Sequence, residues 1–322
     1  MIDKCCLITG ANGFLGTALV KRLQTEYSSV KCAVRTLGKN KNSNGNVIEI
    51  GSINSTTDWK ASLVGVDVIV HTAARVHVMS DESLNPLEEY RETNTFGTIN
   101  LAKQAVESGV KRFIFISTIK VNGESTLLER PFKADDPREP QDFYGQSKAE
   151  AEEQLLELSE QTGLEVVIIR PPLIYGPGVK ANFASLLKLV NRGIPLPFDR
   201  ISMNARSLIS ITNLVDLISC CIDHPKAINQ VFLASDDHDL STREIIINMS
   251  KALKKTNTMF PIPVLFYRIA GKMFKKEDAC DRLIGSLQLD ITHTKELLNW
   301  IPPQKVEDGF KETVTTFIKR IK

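Results

Sequence analysis

A strand-like run, Lys4-Cys5-Cys6-Leu7-Ile8-Thr9, leads without a break into Gly10-Ala11-Asn12-Gly13-Phe14-Leu15-Gly16, and a helical pattern opens there. Few arrangements constrain a chain so tightly. Three glycines at that spacing permit a tight turn, a close approach of backbone to a pyrophosphate, and close packing of the helix on the strand. The helix start supplies free N–H groups and the positive end of a dipole. A strand, this turn and a helix at the head of a chain imply a βαβ unit with a parallel sheet.

The next stretch agrees. Apolar, β-branched runs at 4–9, 30–35, 47–50, 67–71, 112–117 and 165–170 alternate with helical patterns near 14–26, 57–64, 85–108 and 144–162. The strands are apolar on both faces, as strands buried between two helix layers must be. The fold expected is α/β, a Rossmann-type doubly wound parallel sheet with a smaller C-terminal substrate-binding lobe. Past residue 171 the alternation weakens: prolines and glycines cluster at 171–178 and 193–197, and helices follow at 212–223, 241–253 and within 293–321. We divide the chain into a dinucleotide-binding domain, 1–172 with 208–235 returning to it, and a lobe of 173–207 and 236–322. The polar, breaker-rich 38–46 reads as a surface loop.

Composition excludes several classes. A formal net charge of +2 gives no global field for nucleic acid. No apolar run approaches the roughly 20 residues that span a bilayer, and Met1 runs into a strand rather than a signal peptide. Six cysteines without a Cys-x-x-Cys spacing and five scattered histidines suggest neither a disulfide framework nor a metal site. Reduced thiols in a cytoplasmic enzyme are expected.

Tyr144 and Lys148, in Tyr144-Gly145-Gln146-Ser147-Lys148, lie four residues apart and so on one face of a helix. A cation beside a phenol favours the phenolate, and the expectation is a Tyr pKa drawn down from ~10 toward the working pH. Such a tyrosine can give and take a proton.

Five motifs now stand in order: Thr9-Gly10-x-x-Gly13-x-x-Gly16, His71-Thr72-Ala73-Ala74, Asn94-x-x-Gly97-Thr98, Tyr144-x-x-x-Lys148 and Arg170-Pro171-Pro172-Leu173-Ile174-Tyr175-Gly176-Pro177-Gly178. Together they resemble the extended short-chain dehydrogenase/reductase superfamily, in its nucleotide-sugar epimerase/dehydratase/reductase branch. The likeness is strongest to bacterial UDP-N-acetylhexosamine 4-keto reductases and 4-epimerases of surface polysaccharide (O-antigen) synthesis.

That resemblance implies roles. Thr118, after the strand Phe113–Ser117, falls at the catalytic hydroxyl, with Ser117 beside it as a second sugar-contacting hydroxyl. Tyr144 would exchange the proton, and Lys148 would hold the nicotinamide ribose. Gly10, Asn12, Gly13, Phe14, Leu15, Gly16, Ser52, Ile53, Thr72, Ala73, Ala74 and Pro171 fall on dinucleotide-binding positions. Gly51-Ser52-Ile53 departs from the family's Gly-Asp-Ile/Val, so adenine recognition at Ser52 is altered. Arg206 matches an arginine that grips the substrate diphosphate, Asn182-Phe183 resembles a pair at the diphosphate and uracil, and Arg282 is a second arginine candidate. Asn94 is expected to order the sheet beside the catalytic strand; Leu173 stands where many relatives have Asn.

Two details bear on the reaction. Dehydratases of the branch follow the hydroxyl with Asp-Glu; Ile119-Lys120 stands here, which argues against 4,6-dehydration. The second strand ends in Val34-Arg35 with no acidic residue for a ribose 2′-OH. Arg35, helped by Lys39 or Lys41, suits a 2′-phosphate and tips the cofactor from NAD toward NADP. The leading expectation is therefore NADP-dependent reduction of a UDP-4-keto-6-deoxy-N-acetylhexosamine. The alternative is C4 epimerisation of UDP-glucose or UDP-N-acetylglucosamine on tightly bound NAD, and the third a non-catalytic dinucleotide sensor. A UDP-sugar, no nucleic acid, no membrane span and a homodimer through helices 85–108 and 144–162 complete the expectation.

Overall fold

Seven parallel strands form the central sheet. In chain order they are β1 (Ile2–Thr9), β2 (Tyr27–Val34), β3 (Asn46–Glu49), β4 (Val68–His71), β5 (Arg112–Ile116), β6 (Glu165–Arg170) and, after two strands of a smaller sheet, β9 (Gln230–Leu233). The spatial order is β3-β2-β1-β4-β5-β6-β9. The computed structural model describes residues 1–38, 46–76, 85–256 and 258–321. Lys39 and Lys41 lie outside them.

Alternation along each strand splits the core in two. Cys6, Ile8, Val68, Val70, Ile114, Ile116, Val167 and Ile169 face one layer. There α1 (Phe14–Glu26) and α7 (Ile211–Asp223) pack. Leu7, Ile69, Phe113, Phe115, Val166 and Ile168 face the other. That layer holds α2 (Lys60–Leu63), α4 (Gly97–Glu107) and α5 (Phe143–Thr162). The apolar residues of α4 and α5, among them Leu101, Ala102, Ala105, Ala151 and Leu155, are consumed in this layer. A sheet covered on both faces is what doubly apolar strands require.

Two helix expectations change. The pattern at 57–64 yields only the single turn α2, because Asn54 to Thr57 form a turn closed by Asn54 N donating to Thr57 Oγ1, and the chain stays irregular to Trp59. The run 85–108 is not one helix: α3 (Pro86–Arg91) passes through a wider turn at Glu92–Phe96 before α4 begins. Within that turn Asn94 leaves the helix face and bonds elsewhere.

The remaining elements build a third core. β7 (Leu173–Tyr175) pairs in parallel with β8 (Leu208–Ser210). Around Tyr175, Leu187, Ile246 and Phe310 pack α6 (Ala181–Arg192), α8 (Thr242–Leu253) and α12 (Val306–Ile321). α9 (Val264–Met273) and α10 (Glu277–Ile284) pair with each other, and α11 (Thr292–Leu298) lies against β9. Between β6 and β7, Pro171 carries the chain past the end of β5, its carbonyl accepting from Ile119 N at 3.0 Å.

Candidate active site

Where β1 ends, Gly10 takes φ +66°, and a Cβ there would lie 2.9 Å from Ala73 backbone. A Cβ on Gly16 would lie 2.2 Å from the Gly10 carbonyl oxygen. Both positions are therefore closed to larger residues, and turn, helix and β4 end share one tight corner. Thr72 Oγ1 donates to Thr9 O at 2.6 Å and Ala73 N donates to Thr9 Oγ1 at 3.3 Å, so the Thr72–Ala74 segment is tied to the same corner. α1 begins at Gly13 with no side-chain cap and no acidic residue in its first turn. Its free N–H groups are an anion site by construction. Asn12 and Gly13 are exposed at the mouth, with Phe14 half-buried and Leu15 in the core. This geometry fits a dinucleotide pyrophosphate; β1 and β4 flank the point where strand order reverses, the crevice such ligands use.

The rim is less complete. Arg35 is exposed just past β2. Ser52 is exposed as well, and its carbonyl accepts from Thr57 Oγ1 at 2.8 Å. Ile53 packs against Gly97, where a Cβ would come within 2.8 Å of it.

The groups that the sequence marks for proton exchange lie at the end of β5 and on the first turns of α5. Asp142 caps α5, accepting from Gly145 N at 2.6 Å, and so starts the helix that carries Tyr144 and Lys148. Lys148 is 1% exposed; its ammonium donates to Ile116 O at 2.9 Å and stands 4.2 Å from the centre of the Phe115 ring. Burial draws its pKa down to about 7, opposed by the carboxylate of Glu152.

Tyr144 lies edge-on to Tyr90 at 6.3 Å. Its pKa moves opposite to the expectation. Burial, then the charges of Asp142 and Tyr90, push it above the ordinary phenol value. The physical reason is desolvation of the phenol itself, which outweighs the neighbouring cation; the Lys148 ammonium is turned to the Ile116 carbonyl.

Thr118 caps the turn Ile119–Val121, its Oγ1 accepting from Lys120 N at 3.3 Å, and it still has its own proton to donate. Ser117 is 3% exposed and its hydroxyl has no partner, a buried polar group of the kind folds rarely leave unpaired. Asn94 Nδ2 donates to Ser147 Oγ at 3.0 Å and to Arg75 O at 3.0 Å, while its Oδ1 accepts from Arg75 N at 2.8 Å. It orders α5 against the chain after β4. His71, fully buried, bridges Thr9 Oγ1 (2.7 Å) and Thr98 Oγ1 (3.0 Å), and burial draws its pKa down to about 3. A neutral imidazole there is a spacer under the site.

Sequence reasoning named Lys120 and Arg170 only as motif positions and missed the partners that hold them. Lys120 donates to Glu124 at 2.6 Å and to Asp142 at 2.5 Å, so a closed ion cluster stands where a dehydratase needs a free acid and base. Asp142 was legible as a cap, a short polar residue directly before the helical run. Arg170, 2% exposed, pairs with Glu152 through Nε (2.9 Å to Oε1) and Nη2 (2.5 Å to Oε2); only spatial proximity reveals that pair.

The second lobe supplies cations. Arg206 Nη1 donates to Gly285 O at 3.0 Å; burial and the nearby charge of Arg282 lower its pKa to about 10. Arg282 Nε is buried with no partner. Two guanidinium groups held together with an idle donor fit a diphosphate. Asn182 is exposed at the start of α6, whereas Phe183 is 3% exposed and stacks on Tyr175 at 5.6 Å. The Phe183 ring is a packing group, not a face for a base. Leu173 is 48% exposed. No group of three or more metal-binding side chains occurs among the described residues, and no helix there is long and apolar enough to cross a membrane.

Against known proteins, residues 6–234 match the NAD dependent epimerase/dehydratase family. A Vibrio cholerae protein named UDP-glucose 4-epimerase is 56% identical over 320 residues, 99% of this chain and 97% of that one. Among solved structures, Bacillus cereus UDP-glucuronic acid 4-epimerase in complex with NAD aligns with a TM-score of 0.79 at 21% identity, covering 99% of this chain and 100% of that one. Thermotoga maritima UDP-glucose 4-epimerase with UDP-glucose aligns with a TM-score of 0.78 at 22% identity, covering 99% and 100%.

Proposed function

The chain belongs to the NAD dependent epimerase/dehydratase family, an enzyme of the extended short-chain dehydrogenase/reductase type, and within it we propose that it interconverts the C4 epimers of a UDP-hexose or UDP-N-acetylhexosamine while keeping NAD bound. The observation that carries this reading is the 56% identity to a UDP-glucose 4-epimerase over almost the whole of both chains. It supports the epimerase alternative better than ketoreduction, the leading expectation from the sequence.

When bound, NAD supplies a hydride acceptor that returns the hydride. The chain manages the rest. The α1 N-terminus and the Gly10–Gly16 turn hold the pyrophosphate; Arg206 and Arg282 hold the sugar diphosphate. Thr118, with its proton free to donate, and the unpaired Ser117 hydroxyl orient the C4 oxygen. Tyr144 takes the C4 hydroxyl proton as a phenolate and gives it back to the ketone oxygen. Desolvation makes this phenol hold its proton more firmly than an exposed one would. Lys148, with a pKa of about 7, can gain the charge that makes the phenolate affordable and lose it again. Ion pairing of Lys120 with Glu124 and Asp142 supports the absence of a dehydration step.

One observation supports a second reading. Arg35 is exposed where an acidic ribose partner would stand, which suits NADP and hence a reductase. Cofactor behaviour separates the two. Purified protein given UDP-glucose or UDP-N-acetylglucosamine without added cofactor is expected to approach an equilibrium mixture of C4 epimers, and denaturation to release NAD. Tyr144→Phe is expected to lower turnover about 10²- to 10⁴-fold with NAD retained. Stoichiometric consumption of NADPH, with no epimer formed, would overturn the proposal.

A further inference from the structure

One helix wears its apolar side outward. In α9, Leu265, Ile269 and Met273 recur every fourth residue with Phe266 beside them, a single stripe on a 3.6-residue helix. They are 64%, 52%, 68% and 59% exposed in the order Leu265, Ile269, Met273, Phe266. Phe260 before the helix and Phe274 after it are exposed as well. Six of the nineteen exposed large apolar side chains among the described residues thus fall between 260 and 274, while the others are scattered along the chain. Scattered ones need no explanation; a contiguous patch does.

The opposite side of α9 is already covered. A Cβ on Gly271 would meet Cys280 Cβ at 3.1 Å, and Cys280 Sγ donates to Tyr267 O at 2.9 Å, so α10 occupies the inward face. Packing among the described residues therefore leaves the stripe uncovered.

Charge identifies the occupant. Residues 251–276 contain Lys251, Lys254, Lys255, Arg268, Lys272, Lys275 and Lys276 and no acidic residue, in a chain whose net charge is only +2. Arg268 and Lys272, exposed and four apart, flank the stripe directly. The first acidic groups, Glu277, Asp278 and Asp281, belong to α10. Between α9 and α10 a cleft of about 440 Å³ is lined by Tyr267, Phe274, Lys276 and Leu283, and the buried Tyr267 hydroxyl has no partner. Apolar side chains with cations beside them match an anionic lipid interface, acyl chains below and phosphates above. At ten residues α9 lies in that interface and does not cross it.

We infer that α9, with Phe260 and Phe274, docks the protein on the surface of an anionic lipid bilayer. α10 joins this surface to the site: Arg282 sits on it, and Gly285 at its end receives Arg206. The docked face therefore adjoins the cations that would hold the substrate diphosphate.

Vesicle sedimentation with the full-length protein tests this. With phosphatidylcholine vesicles containing phosphatidylglycerol the protein should pellet, with pure phosphatidylcholine far less, and added salt should release it. Phe266→Ser with Ile269→Ser should cut the bound fraction about tenfold at an unchanged rate on a soluble UDP-sugar. Should that variant fold poorly, Lys272→Glu with Lys275→Glu keeps the apolar stripe and should lose the preference for anionic vesicles. Failure of the parent to bind anionic vesicles would overturn the inference. So would parent-like binding by the apolar variant, or a parent dimer that the apolar variant turns into a monomer, which would assign the face to a second copy.

Discussion

Lys148 carries the sharpest consequence at the scale of single residues. Its amine takes a proton at 10.5 in an ordinary setting and at about 7 in the fold. Between those values the unfolded chain binds more protons than the native one, so this contribution makes stability rise with pH across the window and stay level below it. Lys148→Met removes the contribution. The cofactor-free variant should be more stable than the parent at pH 7, by roughly 1.4 kcal/mol for each pH unit of the window that remains above, with the gap closing toward pH 10. Urea unfolding at several pH values reads this as a difference between two proteins, which cancels the cysteines and tyrosines they share. Parallel stability curves would show that Lys148 does not bear that burden. Such a penalty is characteristic of a site that sacrifices stability for a labile charge next to its reacting group.

At the scale of elements, the turn between β1 and α1 is the part whose geometry leaves least freedom. Gly16→Ala would place a Cβ against the Gly10 carbonyl, backbone that cannot swing aside. Overpacking of this kind costs about 1–3 kcal/mol. The distortion falls on the N–H groups meant for pyrophosphate, so the variant should also purify without NAD. Thermal melting and the cofactor released on denaturation check both; a full complement of NAD at an unchanged Tm would sink the cradle.

This turn, with β1, β4, β5 and the α5 pair Tyr144 and Lys148, was legible in the sequence, because local periodicity and glycine spacing encode it. Their neighbours were not. The wider turn at Glu92–Phe96 follows from Asn94 reaching Ser147 across the fold, and the cluster of Lys120, Glu124 and Asp142 joins residues up to 22 apart. The direction of the Tyr144 pKa failed for the same reason. A four-residue spacing places Lys148 on the right face, but burial decides how much charge it holds. α9 and α10 went unmarked because their apolar faces are short or point outward.

At the scale of the whole molecule, the proposed function divides binding work between the sheet and the second lobe, and that division can be measured. On that proposal NAD would address the corner of β1, α1 and β4, whereas the diphosphate of a UDP-sugar would address Arg206 and Arg282. A ligand that binds only the folded chain at about 100 times its Kd adds about 2.7 kcal/mol. NAD and UDP should therefore each raise Tm. Arg282→Gln separates them. In the free protein, Arg282 places its charge against Arg206 and leaves a buried donor idle, so removing it should leave Tm unchanged or raise it. The same variant should lose the increment from UDP and keep the one from NAD. A variant still protected by UDP would refute the diphosphate assignment, and one that melts early without ligand would recast Arg282 as a structural cation. The expected pattern, no stability lost and one ligand's protection gone, is what a like-charged pair held for an absent anion should give.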